Sequence, residues 1–543
     1  MDNIQSDTNK YVFKFLIPIF IFLSVVYLIS KNLFSINSFG SIFITSAILL
    51  VLLLNISTFS FEGGLFALLF LACVVNSLPV IILEKYMFYP IILSPFLGFV
   101  IGGIFRTSSM KISKFYEDSR FRLLSIFIIL FTITITISVF FTISNSFNLF
   151  GLKDSGFHIY NVNVIGGVSI DTLLFSLEMY LNYLITFILL FLLVKRLKIS
   201  RLLLVKLFYT LFSANVLVFF VFLYQVFVDI GFGNQPHYAE MKQINSTMIG
   251  PNAYGFFLVL NIGMFTAFLF YLNKKRHKIL CMVMLLILPF QILYSGSRTT
   301  LIGLAVFIAL VVSYFFISFL VDLARKKEKN KNYMLVILAV IILLVIIPSL
   351  FSLFEIKTGF LDNNDILGPS MLGRLGRNLE QVQEEGTMTK LVSSRDIIIP
   401  RAIEMFRDYP LTGIGIGVFP IELSNYLRAA GIDSGIVDYT LNTYIQILSE
   451  NGIFSFIFFA GFYVTLFAIV FNNLKKISSN RNKNFLIVII FIIFSCLVMF
   501  NFIPGTNYYE DQIIYSFILV LLLLLSYDFK KIENEKNKEN KQI

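Results

Sequence analysis

Charged residues are scarce in this sequence. Only 14% of its 543 residues are Asp, Glu, Lys or Arg, whereas 57% are hydrophobic and the mean hydropathy is +0.84. A soluble domain carries about 25% charged residues, so the composition excludes that class. Apolar runs such as 123–143 and 513–525 are long or nearly long enough to cross about 30 Å of hydrocarbon as helices. They do not alternate polar and apolar residues, which excludes spanning strands.

Cysteine and histidine are also rare, with three residues of each. Cys73, Cys281 and Cys496 each lie inside an apolar run. This placement indicates small core residues rather than a disulfide framework or a cysteine metal cluster. The histidines are too dispersed along the chain for a zinc site. The sequence therefore predicts no metal site.

Lysine and arginine outnumber the acids and give a net charge of +11. Such a charge could indicate nucleic-acid binding, but the basic residues form short clusters between apolar runs, so we expect no nucleic-acid partner. Most of them fall in alternate gaps between the predicted spans, for example 106–122, 195–206 and 475–483. Because positively charged short loops stay in the cytoplasm, both termini are predicted to be cytoplasmic. Basic residues in a long loop do not contradict this, since long loops translocate regardless of charge.

The predicted fold is an all-α integral membrane protein with about fourteen transmembrane helices. The predicted spans are 11–30, 41–57, 64–83, 87–105, 123–144, 172–194, 207–228, 252–272, 279–294, 299–321, 333–352, 442–471, 485–502 and 512–527. Residues 1–352 hold the first eleven spans, 353–441 form a large periplasmic loop with an amphipathic helix, and 442–527 hold the last three spans. The polar tail at 528–543 is predicted to be disordered and cytoplasmic.

The topology places several polar motifs on one outer face, where we expect them to converge. Gly250-Pro251-Asn252 at the start of a span indicates either a broken helix that lines a cavity or, with equal weight, an ordinary helix start. Arg298 follows Ser297 in a short turn between two spans and must lie near the outer interface. An arginine there is costly unless it is paired, and simple snorkelling to the headgroups is the alternative.

Two more arginines lie in the long loop. Arg395 leads into segment 400–407, which contains Arg401 and has the pattern of an amphipathic helix lying on the membrane. Guanidinium groups bind phosphate oxygens bidentately, so several of them aimed at one point would suit a lipid pyrophosphate. The alternative is a basic face that touches anionic headgroups. The alternating glycines of segment 413–417 favour a tight, membrane-dipping turn over a dinucleotide loop, because no strand-helix unit surrounds them.

The order of these motifs resembles the bacterial O-antigen ligase and polymerase superfamily of membrane glycosyltransferases, over roughly residues 245–470. The motifs are Gly250 to Gly255, Ser295 to Thr299, Ser394 to Asp396, Tyr409 to Gly415, Asn442 to Tyr444 and Glu450 to Gly452. Each motif is weak alone, whereas their order, spacing and shared outer side make the set fairly specific.

The resemblance implies a helical fold of the type C glycosyltransferases. It also implies a glycan substrate carried on undecaprenyl pyrophosphate and transferred at the periplasmic face of the bacterial inner membrane, without a metal or another cofactor. Besides the lipid bilayer and the lipid-linked glycan, it suggests a chain-length regulator and a flippase as partners. Surface polysaccharides of several kinds are built in this way, so the sugar and the linkage stay open.

One departure from the family pattern bears on the reaction. Ligases of the family carry a histidine directly before the asparagine that matches Asn442, and this chain has Leu441 there, while Ser455 stands where glycine is usual. Leucine cannot act as a base, so the resemblance favours an O-antigen polymerase, which joins repeat units on the lipid carrier. The alternative is an O-antigen ligase, which moves finished glycan onto the lipid A core. A lipid-linked oligosaccharide flippase or other transporter is the rival from another class, and a structural or sensory membrane protein is the plainest one.

The candidate site follows from this resemblance and from the chemistry. Arg298, Arg395 and Arg401 are predicted to stabilise the negative charge released when a glycosyl pyrophosphate bond breaks. The acceptor hydroxyl needs at most a weak base. The candidates for that base are Asp438, Glu404, Glu510 and Asp511. The candidate substrate-binding residues are Asn252, Ser297, Asn442, Tyr444 and Asp511. A plain helix cap is the simpler role of Asn442.

Overall fold

Every regular element that the structure describes is a helix. The computed structural model describes residues 55–56, 60–74, 98, 119–146, 176–177, 179–185, 187–188, 200–232, 234, 239, 243–248, 250–324, 395–431, 440, 442–502 and 509–542. The helices are α1 (Phe61–Val74), α2 (Ser119–Ser146), α3 (Arg201–Phe227), α4 (Pro251–Tyr271), α5 (Lys275–Ser295), α6 (Arg298–Ala324), α7 (Arg395–Asp408), α8 (Phe419–Ala429), α9 (Thr443–Leu474), α10 (Asn480–Met499) and α11 (Tyr509–Gln542).

Seven stretches of these helices are long and apolar enough to cross a membrane, so the chain is a multi-pass membrane protein. They are Ser119–Thr142, Arg201–Phe227, Pro251–Tyr271, Arg298–Leu320, Thr443–Leu474, Asn480–Met499 and Gln512–Lys530. Each of them coincides with a span predicted from the sequence. The predicted spans 11–30 and 333–352 lie outside the described residues, as do nearly all of 41–57 and 87–105. The number of about fourteen spans therefore stays a prediction.

The surface of α2 shows how these helices meet lipid. Ile126, Ile129, Ile133, Ile137 and Phe140 are all exposed in the structure. They recur every three or four residues, so they form one apolar stripe along the helix. Water would penalise such a continuous stripe, whereas the acyl chains of a bilayer accept it.

Met1–Met110, Arg196–Met371 and Ser479–Ser495 form one compact unit, which contains α1 and α3 to α6. Its most deeply buried span is α4, which begins at Pro251 after an extended Gly250. The Gly-Pro-Asn motif is therefore an ordinary helix start, with proline at the position where its missing amide costs nothing. A side chain at Gly255 would overlap Thr300 of α6, so the glycine allows the two helices to approach closely.

Lys111–Lys195, Leu372–Ser478 and Cys496–Ile543 form the second unit. Its longest span is α9, whose helical geometry is broken at Gly452 by a φ of 77°. Gly461 of α9 packs against the ring of Phe127 in α2. Near the other end of α9, the amide of Asn473 donates to the hydroxyl of Ser526 in α11, 3.1 Å away. These contacts make α9 the central helix of the second unit.

The last helix continues beyond the apolar part of the chain. The composition of 528–543 predicts disorder, but α11 extends to Gln542 in the structure. The tail is rich in Lys and Glu, which are good helix formers. Extending an existing helix avoids the unfavourable nucleation step. The tail therefore continues α11 as a helix.

Candidate functional site

The site in the second unit is built on α7, whose apolar residues are spaced for one helix face. Ile398, Ala402 and Met405 are completely buried and lie one turn apart in sequence. They form one cluster with residues of α8 and of the loop before it, Ile414, Val418, Phe419, Leu423 and Leu427. The sequence predicts an amphipathic helix lying on the membrane. The amphipathic helix is present, but its apolar face is covered by protein, because the segment after it folds back as a second helix.

The loop Tyr409–Val418, called the glycine loop below, is fixed to the break in α9. The amide of Ile414 donates to the carbonyl oxygen of Ser449 at 2.9 Å, and that of Gly415 donates to Glu450 O at 3.0 Å. In return, the amide of Ile453 donates to Pro410 O at 2.9 Å. Breaking a helix leaves backbone groups without their usual partners. The glycine loop supplies those partners, so the break and the loop form one structure.

Two glycines make this backbone contact possible. Gly413 has a φ of 68° and Gly452 a φ of 77°, in the left-handed region that favours glycine. A side chain at Gly413 would overlap the backbone of Glu450 and Asn451, and one at Gly452 would overlap the backbone at Leu411. The tight turn predicted for 413–417 is therefore present.

Glu450 is the residue at this contact that the sequence interpretation missed as a functional candidate. Its carboxylate is completely buried and accepts from Phe419 N and from Gln446 Nε2, each at 3.2 Å. Its carbonyl oxygen also accepts from Ser138 Oγ of α2 at 2.8 Å. The sequence alone could have indicated this residue, because acidic residues inside apolar spans are rare and usually have a function.

The polar ends of α7 and α8 are joined as well. The hydroxyl of Tyr426 in α8 donates to Asp408 Oδ2 at the end of α7, 2.6 Å away. Burial raises the pKa of Tyr426, and the neighbouring Asp408 raises it further. Burial also raises the pKa of Glu422 in the first turn of α8, and a hydrogen bond from Asn425 opposes that rise. The two helices are therefore held together by the apolar cluster and by a hydrogen bond at its polar edge.

Arg395 lies at the first position of α7 and is half-buried. Its Nη2 donates to the carbonyl oxygen of Phe502 at 2.8 Å. The guanidinium carbon also lies 5.7 Å from the centre of the Phe502 ring, which is within range of a cation-π interaction. The side chain is thus held in one orientation beside the end of α10, while a guanidinium has five N–H donors in all.

Arg401 lies on the same helix and forms an ion pair with Glu404, with 2.9 Å between Nη1 and Oε2. The arginine side chain is 20% exposed and that of the glutamate 37%. Among the described residues, Arg401 Nε is buried and has no hydrogen-bond partner. Buried N–H groups are nearly always paired in proteins. Within the described residues, the donors of Arg401 are therefore only partly used.

Asn442 and Tyr444 lie at the start of α9. Asn442 Oδ1 accepts from the amides of Tyr444 and Ile445, both at 3.0 Å, and Nδ2 donates to Asn501 O at 3.2 Å. This is an asparagine cap of the helix. The Tyr444 hydroxyl donates to Leu497 O of α10 at 2.6 Å. Both candidate substrate-binding residues are thus engaged with the backbone in this structure.

The candidates Asn252, Ser297 and Arg298 lie in the first unit. The hydroxyl of Ser297 donates to Asn252 Oδ1 at 2.8 Å, so these two predicted residues are brought together. Arg298 is exposed at the first position of α6, after a turn in which Gly296 has a φ of 67°. Asp438 lies outside the described residues, and Asp511 lies in the first turn of α11. Across the described ranges no three His, Cys, Asp or Glu residues lie close enough to hold a metal ion.

One comparison with known proteins gives a match. Residues 282–460 match the model of a family described as O-antigen ligase. The matched stretch includes α6, α7, α8 and the break in α9. No curated protein matches the chain. The family match supports the O-antigen ligase and polymerase superfamily, so the resemblance read from the motifs is confirmed.

Proposed function

We propose that this chain, as a membrane protein of the O-antigen ligase and polymerase superfamily, is a polymerase of lipid-linked glycans. It would join oligosaccharide repeat units carried on undecaprenyl pyrophosphate into a surface polysaccharide, at the periplasmic face of the inner membrane. The family match supports an activity in polysaccharide assembly. The choice of polymerase and of donor is the proposal.

The surroundings of Arg401 are the observation that supports a pyrophosphate-linked glycan as the donor substrate. Its side chain is mostly buried and pairs with the carboxylate of Glu404, and among the described residues its Nε has no hydrogen-bond partner. A pyrophosphate offers several anionic oxygens, and the planar guanidinium can donate to two of them at once. A lipid pyrophosphate next to α7 would therefore give a partner to a buried donor that has none among the described residues.

Arg395 supports the same assignment. It precedes Arg401 by six positions, so the two side chains start about 9 Å apart along the helix axis. Its contacts with Phe502 orient it in advance, and orientation before binding lowers the entropy lost on binding. Arg298 is the third proposed cation, on the strength of its motif alone.

The proposed reaction breaks the bond between the anomeric carbon and the pyrophosphate oxygen of the donor. The acceptor hydroxyl oxygen forms the new bond to that carbon and loses its proton, and undecaprenyl pyrophosphate leaves with the electron pair. Fixed cations that meet the developing negative charge speed such a step, and removing one donor of this type costs about 10² to 10³ in rate. Since the arginines supply positive charge themselves, this reaction needs no metal ion. Asp438, Glu510 and Asp511 are the proposed acceptors of the proton. Glu404, the remaining candidate, is paired with Arg401 and is proposed to orient that arginine.

A ligase is the second candidate, because the family whose model matches is described as O-antigen ligase. The sequence supports the polymerase, since Leu441 stands where the ligases carry histidine and has no basic atom. The two reactions share the donor and differ in the acceptor, which is another lipid-linked glycan in one case and the lipid A core in the other.

The test is the ladder of surface polysaccharide on a gel from cells that lack the gene. The cells are complemented with the unchanged chain, with Arg401→Ala, or with Arg428→Ala as a matched control, since Arg428 is an exposed arginine of the neighbouring α8. We expect deletion and Arg401→Ala to collapse the ladder to core with a single repeat, and the control to restore it. Loss of all glycan from the core, with long polymer on the lipid carrier, would establish the ligase. A full ladder with Arg401→Ala would remove this arginine from the reaction.

A further inference from the structure

We infer that Glu450 is a positioning residue, which caps α8 from α9 and thereby fixes the helix that carries Arg395 and Arg401. The inference rests on the proposed function for the part of it that concerns catalysis. Its structural part, that the carboxylate of Glu450 holds α8 in place, stands independently.

The first step is that α8 has no cap of its own. Its N-cap residue is Val418, whose side chain cannot accept a hydrogen bond. The amide of Phe419, the first residue of the helix, donates instead to Glu450 Oε1 at 3.2 Å, and the amide of Gly417 is a further donor to the same carboxylate. The cap of α8 is therefore supplied by a residue 31 positions away in the sequence.

The second step is that the same residue joins several other elements. Its carbonyl oxygen accepts from Gly415 N of the glycine loop and from Ser138 Oγ of α2. The carboxylate also accepts from Gln446 one turn earlier in α9. Glu450 thus connects α2, α9, the glycine loop and α8 through hydrogen bonds to one residue.

The third step links α8 to the arginines. Phe419 and Leu423 of α8 pack in one buried cluster with Ile398 and Ala402 of α7. Arg401 directly precedes Ala402, whose side chain is completely buried. Closely packed interiors transmit a displacement of one helix to its neighbour. A shift of α8 would therefore move the guanidinium of Arg401.

Capping alone does not explain the use of a glutamate at this place. An ordinary cap is a Ser, Thr, Asn or Asp with an extended backbone directly before the helix, whereas Val418 lies in the helical region, with a φ of −89° and a ψ of −18°. A fully buried carboxylate costs free energy that an ordinary surface cap does not. What the distant carboxylate adds is a connection between α8 and the break in α9. The placement is therefore better explained by the position of α8 than by its helicity.

The experiment measures amide hydrogen exchange and glycan transfer on the full chain in lipid nanodiscs. The variants are Glu450→Ala, Glu450→Gln and the control Arg428→Gln, which changes an exposed residue at the other end of α8. In Glu450→Ala we expect the amides of 415–423 to exchange at least about ten-fold faster, and kcat to fall roughly 10²-fold with little change in KM, as for a misplaced catalytic group. Glu450→Gln keeps an oxygen that accepts from the amide of Phe419, and the side-chain amide of Gln446 can rotate to accept from the new amide group. We therefore expect this variant to keep most of the slow amide exchange of α8 and most of kcat.

A shorter carboxylate separates position from helicity. Glu450→Asp keeps the acceptor but lacks one methylene, so it can cap Phe419 only if α8 moves closer to α9. We expect Glu450→Asp to keep the slow exchange of α8 and still to lose kcat. Full kcat in this variant would mean that only the helicity of α8 matters and would overturn the inference. Unchanged exchange in Glu450→Ala would overturn it as well.

The result is independent of whether the proposed reaction is right. Arg401→Ala should abolish transfer while the exchange of α8 stays unchanged. If Arg401→Ala transfers glycan normally, the proposed function of the arginine fails, whereas the exchange data still decide whether Glu450 holds α8. If Arg401→Ala is inactive and Glu450→Ala fully active, the arginine role stands and the positioning role is rejected.

Discussion

The carbonyl oxygen of Ser449 accepts its hydrogen bond from Ile414 of the glycine loop, 2.9 Å away, at the position that an unbroken helix would give to Ile453. Ile453 in turn donates to Pro410. The backbone groups freed by the break at Gly452 therefore find partners in a segment 35 to 43 positions earlier. This exchange places the end of α7 against α9, and several measurable consequences follow from it and from its neighbours.

Gly452→Ala and Gly413→Ala should each destabilise the protein. Both positions have positive φ, which costs a non-glycine residue roughly 1–2 kcal/mol, and each added Cβ would also overlap backbone. Gly431→Ala is the matched control, because Gly431 has a φ of 71° but no atom within 4 Å of an added Cβ. In detergent, the melting temperature of Gly431→Ala should be well above those of Gly452→Ala and Gly413→Ala. Equal losses at all three positions would mean that the backbone contact contributes nothing.

Glu404→Gln should reduce transfer only a few-fold. The ion pair with Arg401 joins residues three positions apart on a partly exposed helix face, and pairs of this kind contribute about 0.2–0.5 kcal/mol. We therefore expect Glu404 to orient the arginine rather than to take the proton. The measurement is the transfer rate, beside that of Arg401→Ala. A loss as large as that of the arginine variant would identify Glu404 as the base.

Asn442→Ala should lower stability by about 1 kcal/mol, the usual cost of losing a helix cap. Asn442→Ser keeps an oxygen that can accept from the amides of Tyr444 and Ile445, so its melting temperature should stay near that of the unchanged chain. Transfer by the serine variant then separates two roles. If Asn442→Ser transfers glycan normally, Asn442 acts only as a helix cap. If the serine variant is stable but inactive, the side-chain amide of Asn442 contacts the substrate.

Glu422 should make stability depend on pH. Burial raises its pKa above the ordinary 4.5, so folding favours the protonated form. Its contribution to the free energy of unfolding is then fully present below about 4.5 and is lost as pH rises through the raised value. Glu422→Gln removes the ionisable group, so its melting temperature should lose this decline. Parallel curves of melting temperature against pH for the two proteins would contradict the assignment.

Leu411 should contact lipid. It is 61% exposed and lies at the break of α9, beside a helix that also exposes Phe454 and Ile457. The chain contains no tryptophan, so Leu411→Trp gives a fluorescence signal from one site. We expect brominated phospholipids to quench it more strongly than they quench Arg428→Trp at the end of α8. Equal quenching at both positions would place Leu411 in water.

The spans were predictable because each is a local property of the sequence. Apolar runs with few charges foretold α2, α4 and α9 to within a few residues, and Arg395 and Arg401 were found on one amphipathic helix. The sequence did not predict that α8 packs on the apolar face of α7. In the sequence α8 is one part of the long polar loop, and only the structure places Phe419, Leu423 and Leu427 against α7. Such contacts depend on the path of the chain between distant segments. The role of Glu450 was missed for the same reason, since its partners come from three other elements.

The break in α9 also affects how deep the arginines of α7 lie in the membrane. The part of α9 after Gly452 has about 20 residues and a length of roughly 30 Å, which is enough to cross the hydrocarbon by itself. The turns from Thr443 to Asn451 are therefore surplus to the crossing, and they carry the glycine loop, α8 and the arginine helix with them. A diphosphate at the end of a polyprenyl chain is anchored at the boundary between oil and water. In the proposed reaction, a break in α9 at that boundary would bring Arg395 and Arg401 to the level of the leaving group.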